Sequence, residues 1–143
     1  MKAIILAAGL GTRLKPITNT LPKCLVPIKG KPLLEIWLEN LSKAQIEAFL
    51  INTHYLKEKV EDFVKSRPEE ITLKEEDELL GTAGTLLSNL DFFEGKDGIL
   101  LHADNYCLAN FSDFIEAHKN RPQGCLMTMM TFRTETPSSC GIV

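Results

Sequence analysis

The stretch Gly9-Leu10-Gly11-Thr12-Arg13 brings two glycines, a hydroxyl and a guanidinium together, with Lys15 close behind. Glycine lets a backbone approach a ligand closely, and successive N–H groups can point at an anion. Thr12, Arg13 and Lys15 add a hydroxyl and two positive charges, which suits a polyphosphate. A further cation, Lys23, stands in Pro22-Lys23-Cys24-Leu25-Val26-Pro27. Asp104 closes the apolar stretch Ile99 to Ala103. A carboxylate there can hold Mg2+, with waters and phosphate oxygens completing the shell. Two commoner phosphate loops are excluded. A Walker loop needs a glycine followed by Lys and then Ser or Thr, and none occurs; a dinucleotide fingerprint needs a third glycine where Leu14 stands.

These groups must be positioned by regular elements. Lys2 to Ala8 is an apolar run that stops at Gly9, the pattern of a central parallel strand buried on both faces. Gly9 to Gly30 contains Pro16, Pro22 and Pro27 with little periodicity, which predicts a long, shaped loop. Behind Pro32, the residues Leu33, Leu34, Ile36, Trp37, Leu38, Leu41 and Ala44 mark a broad buried helical face. Ala48 to Ile51 is a second strand, and Leu56, Val60, Phe63 and Val64 give an amphipathic helix. Ile71 to Lys74 is a third strand, Thr82 to Leu90 a short helix and Ile99 to Ala103 a fourth strand. Asn110 or Ser112 can cap a helix through Phe111, Phe114, Ile115 and His118. Leu126 to Phe132 and Cys140 to Val143 read as further strands, with self-association expected through that edge. The alternation argues for an α/β fold, an open, mostly parallel sheet with helices on both faces. In such sheets ligands bind beyond the carboxyl ends of the strands, where the first strand here meets Gly9.

Composition narrows the function classes. A chain of 143 residues fits one domain, and 44% hydrophobic content rules out intrinsic disorder. Sixteen Lys and Arg against nineteen Asp and Glu give a charge of −3, which offers nucleic acid no attraction. Apolar runs such as Ala3 to Ala8 fall far below the roughly 18 residues of a membrane span, and no signal peptide opens the chain. A cytoplasmic location is expected. Cys24, Cys107, Cys125 and Cys140 lack paired spacing and read as reduced thiols, not a zinc site.

The longer string Leu6-Ala-Ala-Gly-Leu-Gly-Thr-Arg-Leu14, then Pro16, Thr18 and the Pro22 to Pro27 segment, resembles the signature of the sugar-1-phosphate nucleotidyltransferases. Ile51-Asn52-Thr53-His54-Tyr55-Leu56, Leu80-Gly81-Thr82-Ala83-Gly84 and Asp104 extend the likeness along the whole chain. The resemblance implies a Rossmann-like sheet of the nucleotide-diphospho-sugar transferase type. It also implies attack of a sugar 1-phosphate on the α-phosphorus of a nucleoside triphosphate, releasing pyrophosphate, with Mg2+ as cofactor. By the same likeness Arg13 holds the β- and γ-phosphates, Lys23 contacts the α-phosphate or the sugar phosphate, and Asp104 holds the metal. Leu6, Ala8, Gly9 and Gly11, with Thr12, Gly81 and Thr82, are expected around the nucleotide.

Glu76 stands five residues before Gly81, where thymidine- or uridine-selecting members often have Gln. A carboxylate accepts from guanine N1–H and N2–H2 but cannot donate, so guanine suits it better. The acidic run before Leu80-Gly81-Thr82-Ala83-Gly84 is similar to that of mannose-1-phosphate guanylyltransferases, whereas Ala103-Asp104-Asn105 is similar to the G-D-N of thymidylyltransferases. Thymidylyl or uridylyl transfer to glucose-1-phosphate is the alternative, and a noncatalytic nucleotide-sensing regulatory subunit is a rival of another class. One departure is Ala103, where many members carry Gly. His102 shares a face with Asp104 but reads as packed or hydrogen-bonded, because a phosphate nucleophile needs no base; His54 and His118 read as structural and Trp37 as core. Family members continue into a sugar-binding half, whereas this sequence ends at Val143. The resemblance therefore implies that residues 1–143 are the nucleotide-binding part of a longer enzyme and are inactive alone. The sugar half and a second metal carboxylate are expected beyond residue 143.

Overall fold

The structure, a computed structural model, describes residues 1–136. Its centre is β1 (Lys2–Leu6), where the bulk of Ile4 and Ile5 is fully buried. β1 is flanked in parallel by β4 (Ala48–Thr53) and β6 (Gly98–His102), and β5 (Glu70–Glu75) adds outside β4. The order is β5-β4-β1-β6. All six residues of β4 are buried, as an interior strand of a covered sheet requires, whereas β5 alternates at an edge. The register sets Leu6 level with Asn52 on one side and His102 on the other, so three strands end at one line.

The chain travels from β1 outward to β4 and β5, then crosses back to β6. With right-handed crossovers, that reversal puts α1 (Leu33–Lys43) and α2 (Lys57–Lys65) on one face and α3 (Gly81–Ser88) on the other. The predicted stripe of α1 is the buried one: Leu33, Leu34, Trp37, Leu38 and Leu41. Each such side chain contributes roughly 1.5–3 kcal/mol by leaving water. Trp37 is core, and its Nε1–H donates to Asn105 O at 2.8 Å. Behind α1 the N–H of Ile46 reaches Leu41 O and that of Gln45 reaches Ser42 O, with Gln45 in the left-handed region at φ 62. This is a Schellman stop, completed by the buried pair Leu41 and Ile46.

The long loop after β1 is built of short 3-10 turns at Thr12–Leu14, Ile17–Asn19 and Lys23–Leu25. It closes through a small antiparallel ladder of β2 (Pro27–Ile28) and β3 (Lys31–Pro32). Lys29 and Gly30 turn that hairpin at φ 51 and 82.

Met1–Leu108 is one compact unit and the residues from Ala109 onward are another. The second contains α4 (Phe111–Lys119), capped by Asn110, whose Oδ1 accepts from Ser112 N at 3.0 Å. His118 Nδ1 meets Thr128 Oγ1 at 3.0 Å. The expected strand Leu126 to Phe132 is corrected: these residues are not in a strand. Leu126 is 90% and Phe132 77% exposed. A run of apolar residues becomes a strand only where a neighbour supplies ladder partners and surface to cover it. The call on Cys140 to Val143 lies outside the described residues. Among the described residues no helix is long and apolar enough to cross a membrane.

Candidate nucleotide site

A pocket of about 220 Å³ opens where β1, β4 and β6 end. Its walls include Leu6, Ala8, Gly9, Lys23, Glu76, Gly81 and Thr82, all expected around a nucleotide, and Asp104, expected to hold the metal. Its position beside β1, where the chain's path across the sheet reverses, is the crevice in which open α/β sheets bind ligands. Gly11, Thr12 and Arg13 do not line it; Thr12 and Arg13 are exposed on the following turn.

The two glycines of the loop do different work. At Gly9 an added Cβ would meet nothing within 4 Å, so its backbone faces open pocket. Gly11 is left-handed at φ +64, and a Cβ there would stand 2.8 Å from Thr18 Cγ2. Thr18 is buried, and its hydroxyl donates to Gly11 O at 2.7 Å, with Leu14 N donating to the same oxygen at 2.9 Å. Thr18 thus braces the loop, a role its place in the motif did not disclose.

Lys23 and Asp104 arrive from distant parts of the chain and join, Nζ to Oδ2 at 2.5 Å. Their side chains are 24% and 37% exposed, so both remain open to a ligand. A phosphate drawn to Lys23 competes with Asp104, and a cation drawn to Asp104 competes with Lys23. Among the described residues no three or more His, Cys, Asp or Glu converge; the pocket wall carries two carboxylates, Glu76 and Asp104, of which Asp104 is the one paired with Lys23. That number suits Mg2+, which keeps waters and takes one or two carboxylates plus substrate phosphates. Cys24, also on the wall, is held as a neutral thiol: burial, with the Asp104 charge adding a smaller push, raises its pKa to about 12. It is a packing group and no nucleophile.

Glu76 differs from its acidic neighbours. Glu75, Asp77 and Glu78 are exposed, whereas Glu76 is buried on the pocket wall. Its N–H donates to Thr53 O at 2.9 Å, and its carbonyl accepts from His54 Nδ1 at 2.7 Å, which makes His54 structural. Its Oε1 accepts from Asn52 Nδ2 at 3.0 Å and Thr85 Oγ1 at 2.5 Å. Asn52 and Thr85 were missed by sequence reasoning. A polar residue closing the apolar run of β4 was a signal for Asn52; Thr85, inside a short helix, gave none.

Ala103 is fully buried, and its N–H extends the ladder to Leu6 O at 2.9 Å. His102 is exposed on the pocket wall with Thr82 Oγ1 3.4 Å from its Nε2, so of the two expected settings it has the hydrogen bond and not the packing. Cys24 and Cys125 are free thiols.

The family model for nucleotidyl transferases matches residues 2–143. A mannose-1-phosphate guanyltransferase from Schizosaccharomyces pombe is 36% identical over 150 residues, covering 100% of this chain and 40% of that protein. The chain therefore spans about 40% of the length of the curated relatives it matches. The fold superposes on HddC from Yersinia pseudotuberculosis in complex with GMP-PN with TM-score 0.71 and 33% identity, covering 81% of this chain and 53% of that one. A Bacillus anthracis structure described as a candidate glucose-1-phosphate thymidylyltransferase, in complex with a sucrose, gives TM-score 0.75 at 28% identity, covering 84% and 50%.

Proposed function

The chain belongs to the nucleotidyl transferase family, and from that membership we propose that residues 1–143 are the nucleotide-binding part of a sugar-1-phosphate nucleotidyltransferase. In that reaction an oxygen of the sugar phosphate bonds to the α-phosphorus of a nucleoside triphosphate as the bond to pyrophosphate breaks. The observation that carries the reading is the meeting of Lys23 and Asp104 at the carboxyl edge of the sheet beside the open backbone of Gly9.

Both reactants are anions, so the protein's task is to neutralise charge and hold them in line. Lys23 is the cation for the α-phosphate or the incoming sugar phosphate. Arg13, on the exposed turn beyond Gly11, is assigned to the β- and γ-phosphates and to the charge that grows on pyrophosphate. Asp104 would hold Mg2+, which when bound supplies further positive charge to the phosphates. Leu6, Ala8 and Gly9 on one side and Gly81 and Thr82 on the other frame the base.

Guanine is the base this wall suits. Oε1 of Glu76 is already filled, while Oε2 receives only Leu80 N–H at 3.3 Å and keeps capacity for a donor from the ligand. The mannose-1-phosphate guanyltransferases among the relatives and the GMP-PN held by HddC support GTP with mannose-1-phosphate or a similar sugar. Thymidylyl or uridylyl transfer to glucose-1-phosphate is the second reading, favoured by the Bacillus anthracis likeness. Pyrophosphate release from the enzyme that carries this chain, assayed with GTP, dTTP and UTP against both sugar phosphates, tests it. GTP with mannose-1-phosphate should turn over fastest. Preference for dTTP or UTP with glucose-1-phosphate would select the second reading, and binding without turnover would leave a nucleotide sensor.

A further inference from the structure

Behind the pocket wall runs a chain of buried polar side chains with a fixed direction of donation. Asn52, Thr85 and Glu76 are 3%, 1% and 5% exposed. Ala7 N–H donates to Asn52 Oδ1 at 2.7 Å, which leaves Asn52 Nδ2 to donate to Glu76 Oε1 at 3.0 Å and Thr85 Oγ1 at 3.2 Å. Thr85 has a single hydroxyl proton, and it goes to Glu76 Oε1 at 2.5 Å. The nearby cation Lys57 pairs with Glu75 instead, so neutral donors hold the Glu76 carboxylate. The network ends on a group that can only accept.

We infer that Thr85 is a positioning residue for base selection: by holding Oε1 it sets the Glu76 carboxylate so that Oε2 is the one acceptor offered to the base. The inference rests on the reading of Glu76 given above. The terminal torsion of a glutamate is broad and roughly two-fold, so an unheld carboxylate can present either oxygen, or both, to the pocket. Asn52 gives one Nδ2 proton to Glu76 Oε1 and the other to Thr85 Oγ1, and with that single bond to the carboxylate it alone does not remove that freedom. Thr85 does. Its β-branched side chain has few rotamers, and Asn89 Nδ2 grips its carbonyl at 2.8 Å. A single fixed acceptor favours guanine, which presents N1–H, over adenine, whose N1 turns a lone pair toward the carboxylate. Asn52 is a poorer target for a test, since it also fastens the end of β1 through Ala7.

Calorimetric titration of the chain with Mg·GTP and with Mg·ATP yields a preference ratio from which the shared triphosphate contribution cancels. The unsubstituted chain should prefer GTP by about tenfold or more. Thr85→Val, which keeps the shape without the hydroxyl, should bring the ratio to within about threefold of one, and Thr85→Ser should restore it. A Thr85→Val ratio equal to that of the unsubstituted chain, with only the melting temperature lowered, would overturn the inference and leave Thr85 a folding residue. Glu76→Gln separates the two levels. If the unsubstituted ratio is near one, or Glu76→Gln leaves it unchanged, the Glu76 reading fails and the inference with it. If Glu76→Gln collapses the ratio while Thr85→Val does not, only the role of Thr85 is lost. Should Thr85→Val not fold, Thr85→Ala is read the same way, and failure of both to fold overturns the inference.

Discussion

Alanine at either glycine of the phosphate loop adds the same methyl group, and the two variants should behave in opposite ways. At Gly11 the backbone is left-handed, which costs an L side chain roughly 1–2 kcal/mol. The new Cβ would also lie 2.8 Å from Cγ2 and 3.2 Å from Cβ of Thr18. Thr18 cannot retreat freely, being 1% exposed and bonded through its hydroxyl to Gly11 O. Moving it forfeits a hydrogen bond of about 1 kcal/mol, so Gly11→Ala should destabilise by roughly 2–3 kcal/mol. At Gly9 a methyl meets nothing and the backbone is not left-handed, so stability should change by less than about 0.5 kcal/mol. The methyl does enter the pocket, and affinity for Mg·GTP should fall by about tenfold or more. Urea unfolding and calorimetric titration of both variants measure the two effects. Thr18→Ser removes Cγ2 and keeps the donor, so in that background Gly11→Ala should recover about 1 kcal/mol in a double-mutant cycle. A Gly11→Ala chain as stable as the parent would refute the conformational argument. A Gly9→Ala chain that unfolds early yet binds normally would reverse the assignment of the two glycines.

Gln45, exposed and left-handed in the Schellman stop of α1, should yield about 1 kcal/mol of stability when replaced by glycine, visible as a higher melting temperature. Cys24 should resist iodoacetamide at pH 9 while exposed Cys125 reacts, since its folded pKa is raised to about 12 by burial first. The sign is fixed: the stability that Cys24 contributes as a thiol is complete below about pH 8.5 and is lost as pH rises toward that folded value. Arg13→Ala in the parent enzyme should lower turnover by an amount equivalent to roughly 2.7–4 kcal/mol. Its unfolding midpoint should hardly move, since Arg13 is exposed; near-normal turnover would remove the assigned role.

Contiguous burial was legible in the sequence. The apolar run into Gly9 and the stripe from Leu33 to Leu41 each report on one segment and its neighbours; the helix stands where periodicity placed it, and the strand starts at Lys2 as expected but ends at Leu6, two residues short of the run. Polar contacts across the chain left no such trace. Nothing local distinguishes Glu76 from Glu75 or Glu78, because its burial is set by Asn52 and Thr85, which reach it from other elements. The same limit explains Leu126 to Phe132, where strand-forming residue types have no ladder to join among the described residues. The paired glycines looked equivalent in the string Gly9-Leu10-Gly11, and only the position of Thr18 separates them.

The placement of β1 also governs how the chain assembles on the ribosome. Lys2–Leu6 emerges first, yet it needs Ala48–Thr53 on one flank and Gly98–His102 on the other before its ladders are complete. At roughly 5–20 residues per second, the wait between those two strands lasts several seconds, with one flank of an apolar strand open throughout. Pairings this distant in sequence are slow to close even in a finished chain. Codons between β4 and β6 that slow translation would lengthen the exposure and raise the demand for chaperones. Under the proposed function nucleotide gives no relief during that interval: Leu6, Asn52 and His102 are brought level only when β6 docks, so a ligand of that pocket can stabilise the chain after that step and not before it.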